Sequence, residues 1–98
     1  MPAYVIAEAQ AITNDEAYQR YRPLGAQAVS QFQGTYLIRG GAATALEGDW
    51  RPSKVSILMF PSIDLANAWY DSPEYRAARS VREGAVRMRL VAVDAPTG

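Results

Sequence analysis

The sequence predicts one α+β domain over residues 1–98, in which a four-stranded antiparallel sheet carries its helices on one face. Three observations predict this class. Four short segments are rich in β-branched and apolar residues, as strands are. Amphipathic segments with helical spacing separate the first strand from the second and the third from the fourth. The 98 residues leave room for one hydrophobic core.

The first strand and helix are predicted from alternation and capping. Residues Tyr4–Ala9 alternate between two faces and form the first predicted strand. Thr13 stands three residues before Glu16, the spacing of a capping box, so we expect a helix to begin there. Pro23 lies inside that helix and predicts a kink or a restart, and Gly34 is the expected stop. The apolar stripe of this helix consists of Ala17, Tyr21, Leu24, Gly25, Ala28 and Phe32.

A hairpin is predicted next. Residues Thr35–Arg39 form the second strand, which Gly40-Gly41 ends or bulges, and the pattern also allows a continuation through residues 42–46. Glu47–Pro52 is a loop, and Lys54–Phe60 is a strongly apolar third strand.

Two short helices and a last strand complete the chain. Ser62 and Ser72 are predicted N-caps, the second followed by Pro73 at the first helical position, so the last helix runs from about Glu74 to Glu83. Val86–Val93 is the fourth strand, and residues 94–98 form a polar tail. Two crossovers around a central hairpin describe a ferredoxin-like βαββαβ sandwich.

The apolar pattern of the last two strands predicts a partner. Both faces of these strands carry apolar side chains, although helices cover only one face of such a sheet. An exposed apolar face of this size indicates an interface, so we expect a homodimer that packs sheet against sheet. The residues concerned are Val55, Ile57, Leu58, Met59, Phe60, Leu90, Val91 and Val93.

Composition excludes several classes of function. Ten basic residues balance ten acidic ones, so no overall charge favours nucleic acid or anionic membranes as partners. The chain has no histidine and no cysteine, which excludes histidine-dependent triads, cysteine nucleophiles and thiolate metal sites. We expect no metal and no cofactor. The N-terminal segment lacks the pattern of a signal peptide, and we expect a cytoplasmic protein.

Several segments resemble, in order and spacing, the short bacterial proteins grouped as domain of unknown function 1330. They are Gly34–Gly41, Leu46–Trp50, Phe60–Ser62 and Ala68–Tyr75. The resemblance implies a dimeric α+β barrel, in which two ferredoxin-like subunits pack their sheets together and each keeps a pocket between sheet and helices. Relatives in that superfamily include cofactor-independent monooxygenases, lactone isomerases and ligand-binding modules, so fold alone does not fix the function.

Polar candidates for a site lie at the hairpin. Arg39 ends the second strand, and Glu47 and Trp50 follow in the loop, so these three side chains are expected near one end of the sheet. Arg39 would anchor a carboxylate or enolate while Glu47 takes a proton; alternatively, the two form a structural ion pair. Tyr18 or Tyr21 could supply a phenol near the same cavity, which makes Tyr18 a second candidate catalytic group; alternatively, these tyrosines close the edge of the core.

The remaining candidates lie in the last two helices. Trp69 and Tyr70, with Trp50, either line a pocket for a planar ligand or anchor structure. Arg82 either points into the pocket or joins a solvated basic face with Arg76 and Arg79. Two functions follow: a homodimeric module that binds an apolar or acidic metabolite, or a cofactor-independent isomerase or monooxygenase acting on an aromatic or lactone substrate.

Overall fold

The structure is a computed structural model that describes residues 1–96. Thr97 and Gly98, the end of the predicted polar tail, lie outside the described residues. Seven elements follow in chain order: β1 (Ala3–Ile12), α1 (Asp15–Gln31), β2 (Thr35–Gly41), β3 (Lys54–Phe60), α2 (Ile63–Asp71), α3 (Pro73–Arg82) and β4 (Val86–Asp94). This is the predicted order.

The four strands form one sheet in the order β2-β3-β1-β4. Each neighbouring pair is antiparallel, so the predicted hairpin of β2 and β3 and both crossovers are present. The predicted α+β, ferredoxin-like fold is therefore confirmed. Strand β4 lies at one edge of the sheet, next to β1.

The cap of α1 differs from the prediction by one residue. Asn14, not Thr13, is the N-cap, and its side chain accepts a hydrogen bond from the amide of Ala17 at 3.1 Å. The Thr13 hydroxyl instead donates to the carbonyls of Gly84 and Ala85, at 3.1 and 3.2 Å. A tertiary contact thus takes the side chain that the capping box would use.

Two further segments refine the predictions. Helix α1 continues through Pro23 without restarting. The pairing of β2 with β3 shifts register between Ile38 and Gly41, where Gly40 has a φ of 68°, so the glycine pair forms a bulge as expected. Strand β2 ends at Gly41, and residues 42–53 form no strand.

The core lies between the sheet and the helices. Val5 on β1 pairs with Leu58 on β3, and both contact the helix layer together with Phe60. The Trp69 ring of α2 lies 5.3 Å from the Phe60 ring and 4.3 Å from the Tyr75 ring of α3, measured between centroids. This aromatic cluster joins the two short helices to the sheet.

The opposite sheet face carries apolar side chains without a helix over them. On this face Ile6 of β1 pairs with Ile57 on one side and Val91 on the other. Val91 is 55% exposed and Val93 is 46% exposed. We call this surface, which also includes Tyr4, the open sheet face.

Candidate functional site

A groove of about 660 Å³ lies between α2, α3 and β4. Trp69 and Tyr70 line it from α2, and Met88 and Leu90 line it from β4. Ser72 ends α2 and caps α3. Its hydroxyl donates a hydrogen bond to the carbonyl of Trp69 in α2 and accepts one from the amide of Tyr75 in α3. This shared cap joins the two helices that form one wall of the groove.

Three arginines of α3 lie along the groove. Arg76, Arg79 and Arg82 are spaced three residues apart, so they share one face of the helix, as predicted. The Arg79 guanidinium carbon lies 4.2 Å from the centroid of the Tyr70 ring, and that of Arg82 lies 5.3 Å from the ring of Tyr21. Stacking on aromatic rings holds guanidinium groups in place while leaving their edges free to bind.

Three buried N–H donors of residues in this wall have no acceptor within residues 1–96. They are Nε1 of Trp69, Nε of Arg79 and Nε of Arg82. Trp69 is only 2% exposed. A buried donor without a partner costs about 1–3 kcal/mol, so its presence on a cavity wall is a feature of binding sites rather than of a stable core.

A second, much smaller cavity of about 40 Å³ lies between α1 and the centre of the sheet. Its wall includes the hydroxyls of Tyr21 and Tyr75, which are 2.7 Å apart. Burial, followed by electrostatic repulsion between the Tyr21 and Tyr75 oxygens, raises the pKa of Tyr21 well above its usual range. The Tyr21 phenol is therefore protonated at neutral pH. Only one hydrogen lies between the two oxygens, which leaves the other hydrogen of the pair available to an acceptor.

The small cavity also contains two of the predicted residues. Tyr18 is 7% exposed and lines it, as does Arg39. The Arg39 guanidinium donates to the carbonyl of Arg22 at 3.2 Å and lies 5.1 Å from the ring of Tyr36. Glu47 is exposed in the loop after β2, and within residues 1–96 no ion pair joins it to Arg39.

Trp50 lies on the other side of the sheet. Its indole N–H donates to Oε2 of Glu8 at 2.6 Å, and Gln10 donates to the other carboxylate oxygen at 3.0 Å. Glu8 is 4% exposed although it lies on the open sheet face, and the Arg89 guanidinium is 3.7 Å from it. Trp50 therefore fastens the β2–β3 loop over a buried carboxylate.

The structure thus separates the predicted site residues into three places. Trp69, Tyr70 and Arg82 line the groove together, Arg39 and Tyr18 line the small cavity, and Trp50 and Glu47 lie in the loop. The two cavities share Trp69, Met88 and Leu90 as walls.

Sequence reasoning missed three features of these sites. The Tyr21–Tyr75 pair joins residues 54 positions apart, and no local pattern links them. Arg79 was one member of a basic helix face, and only the placement of β4 brings that face to a groove. Glu8 lies two residues after Ile6, on the same otherwise apolar face of the strand. A carboxylate at such a position indicates a polar partner beside it.

Comparison with protein families shows the family of this chain. The family described as "Domain of unknown function (DUF1330)" matches residues 2–96. The chain belongs to this family. The predicted resemblance is therefore confirmed. A search of the curated proteins found no match to this chain.

Solved structures agree with the family in fold. This DUF1330 chain is similar in structure to a protein of unknown function from Rhodopseudomonas palustris. The TM-score is 0.78, and the identity is 21% over 99% of this chain and 84% of the other. The chain is also similar to a dimeric ferredoxin-like protein of unknown function from Jannaschia sp. CCS1, with a TM-score of 0.70 and 11% identity over 97% and 100% of the two chains.

A third similar structure has a described activity class. It is a candidate antibiotic biosynthesis monooxygenase from Caulobacter crescentus CB15, with a TM-score of 0.60 and 13% identity over 98% of this chain and 91% of the other. At these identities the likeness establishes the fold. Among residues 1–96, no helix has the length and apolar character needed to cross a membrane.

Proposed function

We propose that this protein is a homodimer whose subunits each bind a small molecule in the groove between α2, α3 and β4. The observation that carries the proposal is the groove itself, because its volume of about 660 Å³ is in the range of small-molecule sites. Trp69, Tyr70 and Arg82, three of the predicted ligand-binding residues, form its wall. Aromatic rings with a few polar groups are typical of such sites.

The dimer is supported by the open sheet face. Val91, Val93 and Ile38 expose 55%, 46% and 47% of their surface there, and Ile57 lies between them. A contiguous apolar patch of this kind marks an interface in a small domain. The similar protein from Jannaschia sp. CCS1 is described as dimeric, in agreement with this arrangement.

The test combines native mass spectrometry with one pair of variants. The purified protein is expected to give a dimer, and a retained small molecule would add its mass to each subunit. Val93→Asp places a charge on the open sheet face and is expected to give a monomer. Leu24→Asp makes the same type of change at an apolar residue of α1 that is 40% exposed, and is expected to remain dimeric. A wild-type monomer, or a dimer unchanged by Val93→Asp, would contradict the proposed assembly.

A cofactor-independent isomerase or monooxygenase is the second candidate function. It is supported by the candidate monooxygenase among the similar structures and by the Tyr21–Tyr75 hydroxyl pair. Paired phenols are suited to donating a hydrogen bond to a developing oxyanion. Glu47 is exposed in the loop, so the tyrosines are better placed than that carboxylate to act on a buried substrate.

Turnover assays distinguish this second candidate. Oxygen uptake with dihydroxyaromatic compounds and isomerisation of lactones would be measured for the wild type and for Tyr21→Phe. Activity that falls by tenfold or more in the variant would support an enzyme using the tyrosine pair. Absence of turnover across both compound classes would contradict this second candidate.

A further inference from the structure

We infer that the groove selects an apolar monocarboxylate, and that the carboxylate lies against Trp69, Arg79 and Arg82. This inference rests on the proposed function and names the ligand class of the same site. It starts from the three donors on the groove wall that have no acceptor: Nε1 of Trp69, Nε of Arg79 and Nε of Arg82. All three donors belong to residues that line the groove, and an anion bound there brings several acceptor lone pairs to a wall where the protein supplies none for them.

The arginines are held ready for such an anion. Arg79 stacks on Tyr70 at 4.2 Å, and its Nη2 donates to the Tyr70 carbonyl at 3.4 Å. Arg82 stacks on Tyr21 at 5.3 Å. Neither guanidinium has an ion-pair partner among the described residues. Side chains already fixed by their neighbours lose less freedom when they bind, so a ligand gains more from each hydrogen bond.

The charge of the lining favours a monoanion. Three arginines line the groove, and Asp71 and Glu83 are the carboxylates that line it with them. One net positive charge remains, which a carboxylate neutralises and a phosphate dianion exceeds. Planar guanidinium groups also match the geometry of a carboxylate.

The opposite wall determines the rest of the ligand. Met88, Leu90 and Ala92 of β4, with Val5 of β1, offer apolar surface along the groove. A body of aliphatic or aromatic carbon buries this surface, whereas a sugar or a small dicarboxylic acid would leave polar groups against it unpaired. Together the two walls fit an acid with one charged end and an apolar body.

Isothermal titration calorimetry with matched probes tests the assignment. The probes are 2-naphthoate, 2-naphthylmethanol and 2-naphthyl phosphate, which share one ring system and differ in charge. The wild type is expected to bind 2-naphthoate at least about tenfold more tightly than the alcohol, the ratio that one charge-assisted hydrogen bond supplies. It is also expected to bind 2-naphthoate more tightly than the phosphate.

Three variants locate the carboxylate. Arg79→Gln and Arg82→Gln are each expected to weaken 2-naphthoate binding by about tenfold or more and to leave the alcohol unchanged. Trp69→Phe keeps most of the aromatic ring, removes the N–H donor and is expected to weaken the acid selectively. Arg87→Gln is the control, because it removes the same charge from an exposed position of β4 outside the groove lining. Circular dichroism confirms folding, and the arginine variants carry the test if Trp69→Phe does not fold.

The outcomes separate the ligand class from the function. Equal binding of acid and alcohol, or arginine variants that bind the acid like the wild type, would overturn the carboxylate assignment while leaving a ligand-binding groove. Preference for the phosphate would overturn the monoanion. Failure of all three probes to bind would also overturn this inference, and the native mass spectrum would then decide separately whether the protein binds a small molecule.

Discussion

The contact between Trp50 and Glu8 gives the sharpest test of the structure outside the groove. Trp50→Phe removes the indole N–H that donates to the Glu8 carboxylate at 2.6 Å and keeps most of the aromatic surface. A hydrogen bond to a charged group contributes about 1.5–3 kcal/mol to stability. Because Trp50 is 47% exposed, water reaches part of the contact, and we expect the lower part of that range, about 1.5–2 kcal/mol.

The remaining partners of Glu8 do not replace the lost donor. Gln10 donates to the other carboxylate oxygen, and the Arg89 guanidinium stands 3.7 Å away on a side chain that is 67% exposed. A carboxylate that is 4% exposed therefore loses its shortest hydrogen bond. The cost falls on the folded state, since in the unfolded chain water solvates the carboxylate.

Urea unfolding at one fixed protein concentration measures this cost, because the stability of a dimer depends on concentration. Glu8→Gln and the double variant complete a thermodynamic cycle, with an expected coupling of about 1–2 kcal/mol. Arg51→Gln is the control in the same loop. Its ion pair with Asp49 joins side chains that are 89% and 96% exposed, so the variant should match the wild type. A Trp50→Phe variant within about 0.5 kcal/mol of the wild type would refute the reasoning.

Three further predictions concern the helix layer. An added methyl at Gly34 would lie 2.6 Å from Val29 Cγ1 and 2.7 Å from Phe60 Cε1. Because this overpacks the core, Gly34→Ala should lower the free energy of unfolding by about 1–3 kcal/mol. An unshifted midpoint of urea unfolding would contradict this prediction. Ser72→Ala removes the cap shared by α2 and α3 and should cost about 1 kcal/mol or more in thermal unfolding, whereas an unchanged melting temperature would argue against the shared cap. The raised pKa of Tyr21, caused first by burial, means that the unfolded chain releases this proton first. Its contribution to stability is therefore complete below the ordinary tyrosine pKa of about 10 and is lost as the pH rises beyond that value. Tyr21→Phe should therefore flatten the fall in the free energy of unfolding measured from about pH 9.5 to 11. Identical slopes of free energy against pH for the wild type and the variant would refute this.

Local patterns were sufficient to predict the elements. The predicted caps at Ser62 and Ser72 are both present. The side chain of each serine accepts a hydrogen bond from a backbone amide of the helix that follows. Strand β3 has the predicted bounds, Lys54–Phe60. Such signals depend on residues within one or two turns, so they can be read from a single sequence. The cap of α1 could not be read in this way, because Thr13 and Asn14 are both good capping residues and a contact with Gly84 decides between them.

The candidate site was predictable in part for the same reason. Trp69, Tyr70 and Arg82 lie on short helices whose faces the sequence pattern fixes, and these three meet at the groove. Arg39 and Glu47 were expected together because a hairpin brings its ends into proximity. The 12 residues from 42 to 53 instead form an irregular loop, and its course depends on where Trp50 docks on the sheet. Long-range contacts of this kind leave no local periodicity.

Strand β4 explains why binding and association can be separated in this fold. Successive residues of a strand face opposite sides of its sheet, so Met88 and Leu90 line the groove while Arg89 and Val93 face the open side. A slip of one residue would exchange the two sets, placing a guanidinium against the apolar wall, so the pairing of β4 with β1 protects both surfaces at once. A variant that loses the partner through Val93 keeps Trp69, Arg79 and Arg82, so ligand binding and association can be measured separately.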